Sequence, residues 1–259
     1  MPEHFLRLAG ATTMPTEEVQ LVEQDVRDLV RYQGLGVVHG RAGVGKTFAV
    51  QWCLERLDPV TTDTARGGPL RVVQVVFTHA PTALEVAKEL ARAVLVDPPR
   101  NANRYRLQNL VLERVTGRPH LLVVDEAQRL TRHTMEVLRY LWDHKPSQLA
   151  VLLVGGDGCR EVVAREPMME SRVFRTRHLQ PLPGRRVPEL IRRYHSLYHR
   201  AEADLIARVD AEFAHGIWRN WASFTLTAAE LAAEHDRDTL DAELVDNTYL
   251  RLGAASLPG

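Results

Sequence analysis

The first 180 residues alternate between two hydrophobic patterns. Apolar residues at helical spacing predict helices at 17–32, 48–57, 81–94, 101–115 and 131–143. Continuous apolar runs between these segments are typical of buried parallel strands and occur at 35–38, 71–78, 121–124 and 149–154, with a short last strand predicted at 177–180. Strands that alternate with helices in this way predict an α/β fold, a parallel sheet with helices on both faces.

Beyond residue 183 the pattern is helical throughout. Proline and glycine at 181–184 mark a boundary, and apolar positions at helical spacing then follow at 187–198, 205–213, 218–231 and 240–245. We therefore predict two domains. An α/β domain spans residues 1–183, and a small α-helical domain spans residues 184–259.

Composition excludes several classes of protein. The chain has 259 residues, of which 45% are apolar and 25% are charged, as in ordinary globular proteins. Cys53 and Cys159 are its two cysteines and have no metal-like spacing. No apolar run approaches the length of a membrane span, and the amino terminus does not resemble a signal peptide. We therefore expect a cytoplasmic protein that does not contact a membrane.

Residues 40–47 fit the motif G-x-x-x-x-G-K-[ST] at every fixed position. The motif lies between a predicted strand and a predicted helix, the context that makes such a match specific. Its glycines allow successive N–H groups to surround the phosphates of a nucleotide such as ATP. Lys46 would contact the β- and γ-phosphates, and the Thr47 hydroxyl would bind Mg²⁺. The predicted nucleotide-binding residues are Gly40, Arg41, Ala42, Gly43, Val44, Gly45, Lys46 and Thr47.

Two carboxylates, Asp125 and Glu126, end the apolar run at 121–124. In most proteins an Asp-Glu pair at a strand end is a solvated turn. Beside a phosphate-binding loop, however, Asp125 is suited to hold Mg²⁺ through water, and Glu126 is suited to polarise the attacking water. The pair therefore predicts a site for ATP hydrolysis, with Glu126 and Lys46 as catalytic residues.

Together these motifs and the helical carboxyl-terminal segment resemble the AAA+ ATPases, and most of all the transposition regulators of the MuB and TnsC type and the related ExeA-type secretion ATPases. The resemblance covers nearly the whole chain. Four segments carry it: Gly40 to Thr47, Val124 to Leu130, Glu170 to Val173, and His215 to Arg219. It implies an AAA+ α/β core followed by a helical lid.

The resemblance also implies roles for two arginines. Arg172 stands where the family has its arginine finger and would reach the γ-phosphate bound by a neighbouring subunit. Arg219, in Gly-x-x-Arg from Gly216, stands where the family has its sensor-2 arginine and would contact nucleotide within its own subunit. Each arginine alone is also compatible with a surface salt bridge. An arginine passed to the next subunit implies a homo-oligomer, either a closed ring or a helical filament.

One position departs from the family pattern. At the tip of the fourth strand, where many members carry a polar sensor-1 side chain, the sequence reads Gly155-Gly156-Asp157. The ExeA-like branch also tends to have glycine there. Asp157 is a candidate substitute, but a carboxylate near the γ-phosphate would repel it. We therefore expect slow hydrolysis.

Local arginine clusters are the candidates for DNA contact, because positive and negative charges balance over the whole chain. Such clusters are more often solvated helix faces. The resemblance favours the cluster after the second strand, where similar ATPases turn residues towards a central channel. The first-choice residues for sequence-nonspecific duplex DNA binding are Arg100, Arg104 and Arg106, and the second-choice residues are Arg129 and Arg132.

The leading hypothesis is an ATP-dependent, DNA-binding ATPase that recruits or regulates a transposase. An ExeA-like secretion or assembly ATPase is one alternative, although that type normally carries a transmembrane segment and a peptidoglycan-binding region. A nucleotide-switched scaffold with little turnover is another. The phrase Asp-Glu-Ala-Gln also suggests a helicase, but helicases of that class need two α/β halves and this chain has room for one.

Overall fold

The computed structural model describes residues 8–12, 14–57, 68–95 and 98–253. Within this part of the chain, five parallel strands form one sheet: β1 (Leu35–His39), β2 (Arg71–Val76), β3 (His120–Asp125), β4 (Leu149–Gly155) and β5 (Val173–His178). Their order across the sheet is β2-β3-β4-β1-β5. The predicted parallel sheet is therefore confirmed.

The strand order separates the two sequence motifs. The strand β1 leads into the glycine-rich loop, whereas β3 ends in Asp125, and β4 lies between these two strands. Val37 is in register with Leu153 of β4, and Val124 of β3 is also in register with Leu153. Because helices flank the sheet, β4 is buried along its whole length, as its unbroken apolar sequence predicts.

Contacts divide the described residues into two compact units. The sheet unit contains residues 17–40, 46–57, 68–95 and 98–179. The helical unit contains residues 8–12, 14–16, 41–45 and 180–253. The domain boundary expected at residues 183 and 184 stays a prediction.

The helices of the sheet unit bury apolar side chains. They are α1 (Glu17–Tyr32), α2 (Lys46–Arg56), α3 (Ala83–Val94), α4 (Arg104–Gly117), α5 (Arg132–Trp142), α6 (Gly158–Ala164) and α7 (Pro167–Glu170). A capping box starts α3, in which the Thr82 hydroxyl accepts from the Glu85 N–H and the Glu85 carboxylate accepts from the Thr82 N–H. The connection between α2 and β2 lies mostly outside the described residues.

The helical unit has its own aromatic core. Its helices are α8 (Val187–Tyr194), α9 (Ala203–Val209), α10 (Trp218–Glu234) and α11 (Ala242–Leu252), with a π-helical turn at Asp210–Ala214. The buried rings of Tyr198, Trp221 and Phe224 pack edge to face, with centroids 5.9 and 6.2 Å apart. The Tyr198 hydroxyl pairs with the Thr225 hydroxyl at 2.7 Å, so the buried phenol is satisfied.

The last strand and the fourth helix have bounds other than those predicted. The last strand is Val173–His178 rather than 177–180, because it is an edge strand whose inner positions carry arginines instead of apolar residues. Arg177 donates to Asp25 at 2.9 and 3.0 Å, and Arg175 donates to Asp28 at 2.7 Å, so charge pairs with α1 take the place of apolar contacts. The fourth helix begins at Arg104 rather than Asn101, because the Asn103 side chain caps it.

Among the described residues, no helix combines the length and the apolar composition that a bilayer crossing requires.

Candidate functional site

The glycine-rich loop joins β1 to α2 and has the backbone geometry that its sequence predicts. Gly40, Gly43 and Gly45 have φ angles of +145°, +84° and +95°, which residues with a Cβ rarely adopt. The Lys46 Nζ donates to the Gly40 carbonyl oxygen at 2.8 Å. The loop thus places backbone amides, a helix amino terminus and an ammonium group together, an arrangement that fits the phosphates of a nucleotide.

Asp125 is the last residue of β3 and lies close to Lys46 and Thr47 at the start of α2. Its carboxylate accepts from the Thr47 side chain, and its Oδ1 accepts from the Glu126 N–H at 2.8 Å. Burial raises the pKa of Asp125, and the neighbouring Glu126 charge adds to this, whereas the Glu126 N–H, the Lys46 charge and the Thr47 hydroxyl oppose it. The structure therefore brings Lys46, Thr47, Asp125 and Glu126 into one cluster.

The Thr47–Asp125 pair has the chemistry of a magnesium site that is completed by a nucleotide. A hydroxyl and a carboxylate are hard oxygen donors, and Mg²⁺ is commonly held by one or two carboxylates, water and substrate phosphates. No group of three or more His, Cys, Asp or Glu side chains in the described ranges could hold a metal by itself. The two residues therefore fit Mg²⁺ bound together with phosphates.

Glu126 lies on a strained turn beside Asp125. Its backbone is left-handed, with φ 56° and ψ 34°, and it precedes the 3₁₀ turn Ala127–Arg129. Its side chain is 40% exposed, so the carboxylate is accessible to water. Its Oε2 accepts from Gln128 Nε2 at 2.5 Å and lies 3.5 Å from Arg129 Nε. Strained backbone of this kind is enriched at functional sites.

The tip of β4 lies beside this turn. The N–H of Gly156 donates to Gln128 Oε1 at 2.8 Å. Asp157, the expected substitute for a sensor-1 residue, is exposed, and its side chain makes no capping hydrogen bond with α6. The backbone of the β4 tip, rather than its side chains, is therefore what contacts the site.

Arg172 lies directly before β5. Its side chain is 38% exposed, and its Nη1 donates to Asp143 Oδ2 at 2.8 Å. Arg172 thus forms a salt bridge with Asp143 of its own subunit. The arginine-finger role stays a prediction, because a half-exposed pair of this kind contributes only about 0–1 kcal/mol and can be exchanged for another partner.

Arg219 lies in the first turn of α10, within the helical unit. Its backbone N–H donates to the Gly43 carbonyl oxygen at 3.1 Å, and its side chain is exposed. The preceding turn is held by Asp210, whose Oδ1 accepts from the Gly216 N–H at 2.6 Å and from the Trp221 indole at 3.1 Å. The Gly-x-x-Arg segment therefore lies against Gly43, which belongs to the same unit.

The candidate DNA-binding arginines differ in their surroundings. Arg100 is exposed and precedes α4, Arg106 is exposed in its first turn, and the Arg104 guanidinium lies 4.5 Å from the Tyr105 ring centroid. Arg129 pairs with Glu126 at 3.5 Å, and Arg132 pairs with Glu166 at 3.3 Å. Since both second-choice residues face carboxylates, the first-choice group keeps its priority.

Sequence reasoning missed the contacts of Gln128 and of a histidine pair. In the sequence, Gln128 stands out only as a member of the segment Val124 to Leu130. Nothing in the spacing of residues links it to Gly156, 28 residues away. The rings of His39 and His178 stack with centroids 4.6 Å apart at the ends of β1 and β5. Burial, together with His178, lowers the pKa of His39. Their contact depends on the pairing of β1 with β5, in which His39 is opposite His178, and no local sequence pattern indicates that pairing.

Comparison with known proteins identifies the class. The family model described as "AAA domain" matches residues 27–163, more than half of the chain. The chain therefore belongs to the AAA domain family.

The chain also shares sequence with a transposition protein. It is similar to the Mu-like prophage FluMu DNA transposition protein B of Haemophilus influenzae, with 30% identity over 123 residues. The match covers 48% of this chain and 38% of that protein, so the chain spans well under half of its relative's length.

Solved structures share the fold. The Aeropyrum pernix ORC2 protein, described in its ADPNP-ADP complexes, has a TM-score of 0.72 at 16% identity, over 99% of this chain and 73% of that one. The Aeropyrum pernix ORC1 protein in complex with DNA has a TM-score of 0.67 at 18% identity, over 96% of this chain and 69% of that one. At this identity the likeness establishes the fold alone.

Proposed function

We propose that this protein is a Mg²⁺-dependent ATPase that oligomerises on duplex DNA and recruits or regulates a transposase. The observation that carries the ATPase part is the cluster in which the Thr47 side chain bonds to Asp125, with Lys46 and Glu126 beside it. The similarity to a transposition protein B supports the DNA-related part.

The residues of this cluster have separate tasks in the proposed reaction. The loop amides and Lys46 bind the phosphates and neutralise their charge. Thr47 and Asp125 would hold Mg²⁺, which would supply stabilisation of the charge on the transferred phosphoryl group. The Glu126 carboxylate accepts a hydrogen bond from the attacking water and orients this water towards the γ-phosphate. Its 40% exposure leaves the carboxylate accessible for this task.

Assembly would complete the site. In the proposed oligomer Arg172 leaves Asp143 and contacts the γ-phosphate held by the adjacent subunit. The exchange costs little, because a half-exposed ion pair contributes only about 0–1 kcal/mol. Arg219, already fixed against Gly43, would contact the nucleotide within its own subunit.

DNA binding is proposed for the arginines at the start of α4. The chain has no net charge, so affinity must come from a local basic surface that oligomerisation repeats along the duplex. Arg100 and Arg106 are exposed, and Arg104 packs on an exposed tyrosine, which keeps its guanidinium near the surface. Phosphate contacts of this kind bind DNA without reading its sequence.

A nucleotide-switched scaffold with little turnover is the second candidate function. It is favoured by the tip of β4, where Gly155 and Gly156 offer no side chain to contact a γ-phosphate. The ExeA-like assembly role also stays open, and neither alternative requires DNA.

Electron microscopy with duplex DNA and a slowly hydrolysed ATP analogue tests the proposal. We expect rings or filaments on DNA when the analogue and Mg²⁺ are present and dispersed particles when either is omitted, together with a larger apparent mass in solution. An ATPase assay on the same samples separates the enzyme from the scaffold. Assembly that is equally strong with and without DNA would remove the transposition role and leave the other two.

The transposase partner needs its own test. A transposase encoded beside this gene would be the protein to immobilise, and we expect it to retain the ATP-bound chain but not the Lys46→Ala variant. Equal retention of both proteins would contradict a nucleotide-regulated interaction.

A further inference from the structure

Both ends of the Gln128 side-chain amide are used in the candidate hydrolysis site. Its Nε2 donates to Glu126 Oε2 at 2.5 Å, and its Oε1 accepts from the Gly156 N–H at 2.8 Å. A single side chain therefore links the turn after β3 to the tip of β4. An amide can do this because it carries a donor and an acceptor on one carbon.

The glycine at the end of β4 makes room for this link. A Cβ at Gly155 would overlap Gln128 Oε1 and would also crowd Cys159. A side chain at position 155 is therefore incompatible with the observed position of Gln128. The space beside the β4 tip is filled by a residue from the turn after the neighbouring strand.

We propose that Gln128 is the positioning residue for Glu126, and that its amide replaces the polar side chain that the β4 tip lacks. The inference rests on the proposed ATPase function and deepens it. The bond from a neutral amide to a carboxylate is charge-assisted, and it holds Oε2 while Oε1 remains available to the attacking water. The Glu126 carboxylate is 40% exposed. If the bond from Gln128 were lost, the side-chain contact that remains among the described residues would be Arg129, at 3.5 Å.

Two substitutions of Gln128 distinguish its hydrogen bond to Glu126 from its hydrogen bond to Gly156. Gln128→Met keeps the length of the side chain but removes both hydrogen bonds. Gln128→Glu keeps an acceptor for the Gly156 N–H and replaces the donor with an oxygen that repels Glu126. If the link to Glu126 matters, Gln128→Glu must be at least as damaging as Gln128→Met.

The chain offers a matched control. Gln51 on α2 also donates to a carboxylate, Glu55 Oε1, at 3.2 Å. Gln51→Met and Gln51→Glu therefore make the same chemical changes in a glutamine–glutamate pair outside the site. Both should hydrolyse ATP like the parent.

The readout is the split between kcat and nucleotide binding in the full-length protein with Mg²⁺. We expect both Gln128 variants to lose about tenfold or more in kcat, while the Kd of a fluorescent ATP analogue changes by about twofold or less. In a Glu126→Gln background, Gln128→Glu should cause no further loss, because Gln128 acts through Glu126.

The outcomes separate this inference from the proposed function. Turnover that requires Glu126 but is unchanged in Gln128→Glu would overturn the positioning role and leave the ATPase standing. A further loss in the Glu126→Gln background would also overturn it. A parent without turnover, or a Glu126→Gln variant as fast as the parent, would overturn both. If Gln128→Met unfolds, Gln128→Glu decides, since it retains the contact with Gly156.

Discussion

The backbone N–H of Arg219 donates to the carbonyl oxygen of Gly43 at 3.1 Å. Amides in the first turn of a helix have no partner within that helix, so this one satisfies a loop carbonyl instead. A Cβ at Gly43 would approach the Arg219 Cβ to 3.1 Å and would press closer still on Ile217. Glycine at position 43 thus allows the loop and the start of α10 to lie against each other.

Arg219→Ala should remove the side-chain charge and keep this backbone bond. We expect the affinity for ATP to fall about tenfold, because a charged hydrogen-bond donor to phosphate is lost. The thermal midpoint should stay close to that of the parent, since the Arg219 side chain is exposed. Titration with a fluorescent nucleotide measures the change. A drop in stability as large as the drop in affinity would indicate a structural role.

Glu126→Gln and Lys46→Ala should fail in different ways. Glu126→Gln should bind ATP and Mg²⁺ but lose about 100-fold in hydrolysis, because an amide cannot polarise water as a carboxylate does. Lys46→Ala should lose about 30-fold or more in affinity, because it removes a charge from the phosphate site. Equilibrium binding and phosphate release measure the two effects. Glu55→Gln on α2 is the control, and parental hydrolysis by Glu126→Gln would contradict the assignment.

Arg172→Ala should bind nucleotide but lose hydrolysis on the order of 1,000-fold, if the arginine acts on the neighbouring subunit's nucleotide. Mixing it with Lys46→Ala should restore some activity, since some mixed interfaces combine an intact loop with an intact arginine. Asp143→Asn is a sharp control, because it removes the charge that faces Arg172 at 2.8 Å but leaves Arg172 in place. No recovery at any mixing ratio would argue for a role within one subunit or for none.

Charge reversal at Arg104 and Arg106 should weaken DNA binding on all sequences alike and leave nucleotide affinity intact. We expect parental binding to require ATP and to fall steeply with salt, as counterions return to the phosphates. Arg114→Glu, near the other end of α4, is the matched control. Fluorescence anisotropy over a salt series measures both effects. Parental DNA binding that is equal with and without ATP would contradict the model.

Asp125→Asn should stabilise the Mg²⁺-free and nucleotide-free protein at neutral pH. Burial raises the pKa of Asp125, so the folded state disfavours the ionised form. The resulting cost is absent below the pKa of the unfolded chain, grows as pH rises towards the folded pKa, and is complete above it. Thermal unfolding at pH 7 should therefore show a higher midpoint for Asp125→Asn, and this difference should shrink in acid. The same variant should lose Mg²⁺-dependent hydrolysis.

The elements that could be predicted from sequence are those with strong local patterns. The helix Glu17–Tyr32 has the bounds that its apolar spacing indicates. β5 was misplaced because Arg175 and Arg177 are matched by Asp28 and Asp25, about 150 residues earlier in the chain. No local pattern reports a charge pair of that separation.

In the candidate site, too, residues with a local sequence pattern could be predicted, and residues that depend on distant contacts could not. Residues 40–47 and Asp125 could be identified because phosphate and metal chemistry restricts the residue types and their spacing. Gln128 could not, since its importance depends on Gly156, which reaches it through the pairing of β3 with β4. The pairing of strands decides which turn lies beside which strand tip, and that information is non-local.

The strand order also constrains how the chain folds during synthesis. The strand β1, which leads into the glycine-rich loop, pairs with β4 and β5, and both follow it by more than a hundred residues. Closing so long a segment costs chain entropy before any pairing compensates for it. The loop strand therefore emerges from the ribosome well before its sheet neighbours exist. A nucleotide bound as proposed would stabilise the folded state only after all of these strands have been synthesised. Cellular ATP would therefore stabilise chains that contain the whole sheet and would not stabilise truncated chains.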